Sequence, residues 1–335
     1  MDWSACIVLV TGASGFVGSW LVKALLARGA RVVTLIRDLD EQSELLRCGA
    51  YSAVTVVRGA LEDFSALRRC LNEHDVNIVM HLGAQTIVGA ALRDPLATFE
   101  ANIRGTYHLL EAIRLQGAQI KAAVIASSDK AYGETPDLPY RETQPLEGRH
   151  PYDVSKSCTD LLASTYYHTY RIPLAISRCG NIYGGGDLNW SRIVPGTIRS
   201  LYRNENPVLR SDGTMIRDYL YVEDVVEAYL DLAENLYRPE VAGQAFNFSP
   251  GVPMSVLELV TAIQQIMGAA ALKPIIHNNA RSEIHSQWLS AAKAKSILTW
   301  TPRFSLLEGL RRSVNWYRDY FKQDSPQSVR LRQSA

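Results

Sequence analysis

The chain has 335 residues, 47% apolar and 21% charged, and its 35 basic against 34 acidic side chains leave a formal charge of +1. These values exclude a disordered polyelectrolyte and a polycation built for nucleic acid. Cys6, Cys48, Cys70, Cys158 and Cys179 are widely spaced with no Cys-x-x-Cys pair, which argues against a disulfide framework or a metal site and for reduced core thiols.

No charge occurs from Trp3 to Val22, a run long enough to imitate a membrane span. Its centre, Thr11-Gly12-Ala13-Ser14-Gly15, is a set of turn formers, and Asp2 precedes it where a signal peptide carries Lys or Arg. The expectation is a soluble, cytoplasmic protein with no membrane partner. The run reads as a strand over Cys6–Val10, a tight turn, and a helix stopped by Gly29. Strand-like runs follow at Arg31–Ile36, Ala53–Val57, Ile78–Leu82, Ala122–Ala126 and Pro173–Ser177, with helical segments between them. This alternation predicts an α/β fold with a doubly wound parallel sheet of the Rossmann type.

After Gly180 the texture changes to Gly184-Gly185-Gly186, scattered prolines and longer irregular stretches. The chain is therefore divided into a dinucleotide-binding domain over 1–180, with 220–250 returning to it, and a smaller mixed substrate lobe over 181–219 and 251–322. Ser255-x-x-Glu258 has the form of a capping box that opens a helix in this lobe, and 323–335 reads as a frayed tail.

Gly12-x-x-Gly15-x-x-Gly18 joins the first strand to the first helix, where glycines let backbone approach a pyrophosphate that meets the helix N-terminus. At the end of the second strand an acid would accept from a ribose 2′-hydroxyl and an arginine would hold a 2′-phosphate. Arg37 and Asp38 stand there together and point in opposite directions, so NAD or NADP both remain open, with a lean to NADP from Arg37. Tyr152 and Lys156, four residues apart, share a helix face, so the ammonium is expected to lower the phenol pKa and make a base for a sugar hydroxyl. The fifth strand ends in Ser127-Ser128-Asp129-Lys130, at the rim where ligands of such sheets bind. His81, closing a buried strand, reads as a satisfied core histidine.

The glycine turn, Ser128, the Tyr152/Lys156 pair, Arg178-Cys179-Gly180-Asn181-Ile182-Tyr183-Gly184 and Arg217-Asp218-Tyr219-Leu220-Tyr221-Val222-Glu223-Asp224 together resemble the extended short-chain dehydrogenase/reductase family over about residues 5 to 320. Its members act mainly on nucleotide sugars. Within it, Ser128-Asp129-Lys130 resembles the triplet of 4,6-dehydratases, with Lys at the C5-base position as in the subgroup acting on CDP-glucose. Ser in place of Thr, Ala60 in place of an Asp, and Arg217-Asp218-Tyr219 depart from that subgroup.

The resemblance implies Ser128, Asp129, Lys130, Tyr152 and Lys156 as catalytic residues. Gly12, Gly15, Phe16, Val17, Gly18, Arg37, Asp38 and Leu61, with Tyr152 and Lys156, would hold the cofactor. Gln85, Asn181, Arg192, Arg217 and Arg281 would hold a nucleotide-diphosphate sugar, the arginines because guanidinium matches phosphate geometry. Helices over Ala97–Ile113 and Tyr152–Tyr170 would form a homodimer interface. A nucleotide-sugar 4-epimerase or 4-reductase would need Ser128, Tyr152 and Lys156 but not the Asp129/Lys130 pair, and a non-catalytic NAD(P)-binding protein on the same fold would need none of them.

Overall fold

A computed structural model describes residues 1–279 and 283–323. Six parallel strands, β1 (Ile7–Thr11), β2 (Arg31–Ile36), β3 (Thr55–Arg58), β4 (Ile78–His81), β5 (Ala122–Ala126) and β6 (Leu174–Cys179), form the sheet with a seventh strand, Ala245–Phe248, paired to β6. The order across the sheet is Ala245–Phe248, β6, β5, β4, β1, β2, β3. The direction of winding reverses between β1 and β4, so the crevice for a ligand opens beyond their carboxyl ends.

Successive side chains of a strand point to opposite faces, and because both faces are buried here the strand runs are mostly apolar. Val8 and Val10 of β1 join one core with Leu21 and Leu25 of helix α1 (Phe16–Ala27) and Val225 of the helix Val222–Asn235. Leu9 points to the other face, into a core with Leu67, Leu110, Ile113 and Ile176. Both faces of the sheet are covered, as a parallel sheet requires. Cys6, Cys70 and Cys179 are buried thiols, whereas Cys48 is on the surface and Cys158 is half-buried, so the expectation of core thiols fails at Cys48.

The second lobe is assembled from interleaved segments. Asn181–Tyr183 pairs with Tyr219–Tyr221, and Ile216–Arg217 lies between Met254–Ser255 and Ser286–Gln287. The helices Ile193–Tyr202, Val256–Met267 and Leu306–Gln323 close a third core around Ile198, Leu259, Ile263, Leu310 and Tyr317. Each fully buried aliphatic side chain there contributes roughly 1.5–3 kcal/mol. The capping box is formed: Glu258 N donates to Ser255 Oγ at 3.2 Å and Ser255 N to Glu258 Oε2 at 2.7 Å. The last helix runs through Gln323, the first residue of the expected tail, and residues 324–335 lie outside the described residues.

The helix expected over Ala97–Ile113 is interrupted. Pro95–Phe99 passes through a π-helical stretch, Glu100–Arg104, into the helix Gly105–Gln116. Among the described residues no helix is long and apolar enough to cross a membrane, and no cluster of His, Cys, Asp and Glu could hold a metal ion.

Candidate active site

The turn after β1 is a cradle that side chains would fill. Gly12 has φ +73°, and a Cβ there would stand 2.7 Å from the Gly83 amide; a Cβ on Gly18 would collide with the Gly12 carbonyl. Gly15 caps α1 without a side-chain partner, leaving the first amides of the helix open toward a cavity of about 1010 Å³. Gly12, Gly15, Phe16, Val17 and Gly18 all line that cavity. Thr11 Oγ1 supports the turn by accepting from Gly83 N at 3.0 Å and meeting His81 Nδ1 at 2.8 Å. His81 also meets Thr106 at 3.1 Å, and burial pushes its pKa down to about 3, so it is a neutral core group.

The opposite wall carries Ser128, Asp129, Lys130, Tyr152 and Lys156. Ser128 caps a short 3-10 turn, Asp129–Tyr132, accepting from Lys130 N at 3.2 Å and donating to Asp129 Oδ1 at 2.9 Å. The helix Pro151–Tyr170 brings Tyr152 within hydrogen-bonding reach of Ser128. Burial raises the pKa of Asp129 and lowers that of Lys130, against their mutual attraction. The desolvation of each outweighs the ion pair, which favours the neutral acid beside the neutral amine.

The expected pairing of Tyr152 with Lys156 is corrected by the structure. Lys156 Nζ donates to the Ala126 carbonyl at 2.8 Å, and burial lowers its pKa to about 8. The Tyr152 phenol is pushed up to about 12, first by burial and then by the Asp129 charge. The cation that does favour its phenolate is Arg192.

The candidate binding residues fall into three groups. Asn181, Arg192 and Arg217 line the cavity. Arg192 Nη1 pairs with Asp187 at 3.0 Å and its Nη2 reaches Thr86, on the loop after β4, at 3.4 Å. Arg217 is already committed to carbonyls, with Nη1 at 2.7 Å from Ile216 O and 2.9 Å from His285 O. Gln85 and Leu61 are absent from the cavity wall: Gln85 spends its side chain on the Ile87 carbonyl and on Thr98, and Leu61 packs beneath Gly83 and Gly105. Arg37 and Asp38 form an exposed ion pair of 2.6 Å at the end of β2 and do not reach the cavity. Arg281 lies outside the described residues.

Further residues matter whose roles sequence patterns did not single out. Asn102, in the π-helical stretch, donates to the Gln85 carbonyl at 3.0 Å and to Ser155 Oγ at 2.9 Å, tying the loop after β4 to the helix that carries Lys156. Asp153, buried beside Lys130, has a raised pKa. Tyr317 of the last helix donates toward the Gly184 and Asp187 carbonyls at 3.1 and 2.7 Å, while Trp20 Nε1 donates to Gly185 O at 2.7 Å. Three aromatic side chains thus clamp the triple-glycine loop, because a Cβ on Gly185 would overlap the Trp316 ring.

Asp218 is another. Its carboxylate accepts from Ser249 Oγ and from Leu289 N, but Oδ1 is buried without a partner. Burial raises its pKa to about 7. A carboxyl that holds its proton more tightly folded than unfolded stabilises the fold at low pH, and that stability is lost as pH rises from about 4 to about 7. Asp218→Asn is therefore expected to raise the melting temperature at pH 8 and to change it little at pH 4. Equal shifts at both pH values would refute the assignment.

A glycine cradle at the switch point facing a Ser, Tyr and Lys constellation defines a nicotinamide-dependent enzyme of the extended short-chain dehydrogenase/reductase type. Residues 9–313 match the protein family described as GDP-mannose 4,6 dehydratase, and the chain belongs to that family of NAD-dependent sugar dehydratases and epimerases. It is 32% identical to the CDP-glucose 4,6-dehydratase of Salmonella typhimurium over 96% of this chain and 92% of that protein. It is 31% identical to the UDP-glucose 4-epimerase of Mycolicibacterium smegmatis over 93% and 98%. Among solved structures, the dTDP-glucose 4,6-dehydratase DesIV of Streptomyces venezuelae, with NAD and TYD bound, superposes with a TM-score of 0.85 at 26% identity, covering 96% of this chain and 99% of that one. The UDP-glucose 4-epimerase of Thermotoga maritima with UDP-glucose gives 0.86 at 27%, covering 94% and 99%.

Proposed function

We propose that the protein is a nucleotide-sugar 4,6-dehydratase that converts an NDP-hexose, CDP-glucose or a close analogue, to its 4-keto-6-deoxy form. The observation that carries this reading is the pairing of buried Asp129 with half-buried Lys130 beside Ser128 and Tyr152, whose shifts favour the acid protonated and the amine neutral. Oxidation at C4 alone needs neither state, whereas elimination needs an acid and a base on one substrate edge.

The cradle fits a dinucleotide, since its glycines leave room that side chains would occupy. Gly12, Gly15, Phe16, Val17 and Gly18 would hold the pyrophosphate region, and Tyr152 and Lys156 the nicotinamide ribose. When bound, NAD or NADP supplies a hydride acceptor that later becomes the donor. Tyr152 takes the proton from O4, Lys130 removes the proton at C5, and Asp129 protonates the departing C6 oxygen. Asn181, Arg192 and Arg217 hold the diphosphate, Arg217 by exchanging its carbonyl partners for phosphate oxygens. The protein works as a homodimer through the helices Pro95–Phe99 and Pro151–Tyr170, which leave Leu96 and Leu161 in solvent at 69% and 59% exposure.

The similarity to 4-epimerases favours one second reading, epimerisation at C4 without loss of water. Incubation with CDP-glucose, dTDP-glucose, UDP-glucose and GDP-mannose in deuterated water separates the two. The expected result is a 4-keto-6-deoxy sugar with deuterium at C5 from one of them. A C4 epimer with its C5 hydrogen retained would overturn the dehydratase reading.

A further inference from the structure

Arg217 lines the cavity, yet both of its terminal nitrogens are engaged by protein. Nη1 donates to the Ile216 and His285 carbonyls at 2.7 and 2.9 Å, and Nη2 donates to the Ile284 carbonyl and lies 3.8 Å from Met215 Sδ. To turn onto a phosphate, the guanidinium must leave the Ile284 and His285 carbonyls, which immediately precede the strand Ser286–Gln287. A buried acceptor stripped of its donor opposes that movement unless another donor replaces it.

Gln287 stands where that donor is needed. In the sheet of Met254–Ser255, Ile216–Arg217 and Ser286–Gln287 it is the register partner of Arg217, so the two side chains rise from one face with their bases about 5 Å apart. Gln287 is wholly buried, but neither its Nε2 nor its Oε1 has a hydrogen-bond partner. Among the described residues it is the one side chain with two such atoms. A buried amide open at both ends destabilises the protein that holds it, and an apolar side chain of similar size would pack there more favourably. Resting on the reading that Arg217 holds the diphosphate, we infer that Gln287 is a positioning residue that steadies Arg217 in its phosphate-facing orientation. Its Oε1 accepts a guanidinium N–H, and its Nε2 donates to a carbonyl that Arg217 has left. The amide is unsatisfied in the free protein and satisfied in the complex, and this difference between the two states favours the bound one.

The test measures binding of CDP, UDP, dTDP and GDP by titration calorimetry, with melting temperatures taken on the ligand-free protein. Gln287→Leu, with Gln287→Met as a second apolar replacement, is expected to raise the melting temperature by about 2 °C or more. The same variants should weaken binding of the nucleotide that wild type holds best about tenfold, the scale of one hydrogen bond to a charged group. Arg217→Lys should weaken it by a similar factor, and Gln287→Leu added to Arg217→Lys should change it by less than about threefold more, since the amide acts through the guanidinium. With the sugar nucleotide that wild type dehydrates, the loss in Gln287→Leu should fall on KM and leave kcat within about twofold. A free protein destabilised by both apolar variants would show that the amide is already satisfied and overturn the inference. So would binding that Gln287→Leu leaves unchanged, or weakens equally with and without Arg217. A wild type that binds none of the four nucleotides, or binding indifferent to Arg217→Lys, would instead overturn the diphosphate reading of Arg217.

Discussion

Lys130→Met is expected to leave C4 oxidation in place and to abolish loss of water, lowering turnover to the 4-keto-6-deoxy product about 10²–10⁴-fold. Methionine is unbranched like lysine, one atom shorter, and lacks the basic nitrogen, so the neighbouring Ser128 cap and the 3-10 turn over Asp129–Tyr132 should stay formed. Trapping with borohydride followed by mass analysis should detect a 4-keto sugar that retains its C6 oxygen, and deuterium should no longer enter C5. Unimpaired turnover would refute Lys130 as the C5 base. Asp153 offers a way to see the charge balance behind this. It is buried beside Lys130, and its charge favours the ammonium. Asp153→Asn should therefore move the acidic limb of the rate profile, set by loss of the Lys130 proton, to lower pH.

The largest stability effect is expected away from the cavity, at Asp160. Arg178 Nε and Nη2 grip the Asp160 carboxylate at 3.0 and 2.7 Å, and Nη1 donates to the Tyr132 hydroxyl at 2.7 Å. The two charged side chains are 6% and 3% exposed. Asp160→Ala would leave the guanidinium buried without its counter-charge, a loss of about 3–5 kcal/mol in urea unfolding. Replacing both partners by apolar residues should recover much of it, because no charge then remains to be desolvated. A loss below about 1 kcal/mol for Asp160→Ala would mean that water reaches the pair. The network has a functional side too: Asp160 belongs to the helix of Tyr152 and Lys156, Arg178 to β6, and Tyr132 to the turn of Ser128, Asp129 and Lys130. One buried ion pair fixes the relative placement of all five candidate catalytic residues.

The parts of the fold legible in the sequence are those whose environment is uniform. β2 and β5 have the bounds their apolar runs indicate, because both faces of each strand are buried and every residue obeys the same rule. The strand Ala245–Phe248 is harder to see, since Asn247 sits between two phenylalanines. That asparagine is fully buried and is satisfied by Glu142, Tyr140 and Tyr132, partners more than a hundred residues away. The same division runs through the site. Glycines 12, 15 and 18 carry their meaning in their spacing, whereas Lys156 was expected beside the phenol and instead holds Ala126 O. Spacing on a helix says which side chains share a face; it does not say which carbonyl from another strand will compete for an ammonium. Gln85 and Asp218 make the same point, one turned back into its own loop and the other aimed into a dry interior.

The clamp on the glycine loop bears on how the molecule comes into being. Tyr317 and Trp316 belong to the last described helix, yet they secure Gly184–Asp187, and Asp187 in turn holds Arg192. A growing polypeptide can pair β1 through β6 as each emerges, but the seventh strand waits for residue 248 and the clamp waits for residue 317. Domains folding from the N-terminus during synthesis would therefore produce a dinucleotide cradle well before a finished sugar-nucleotide cavity. A nascent chain released early would carry the first without the second.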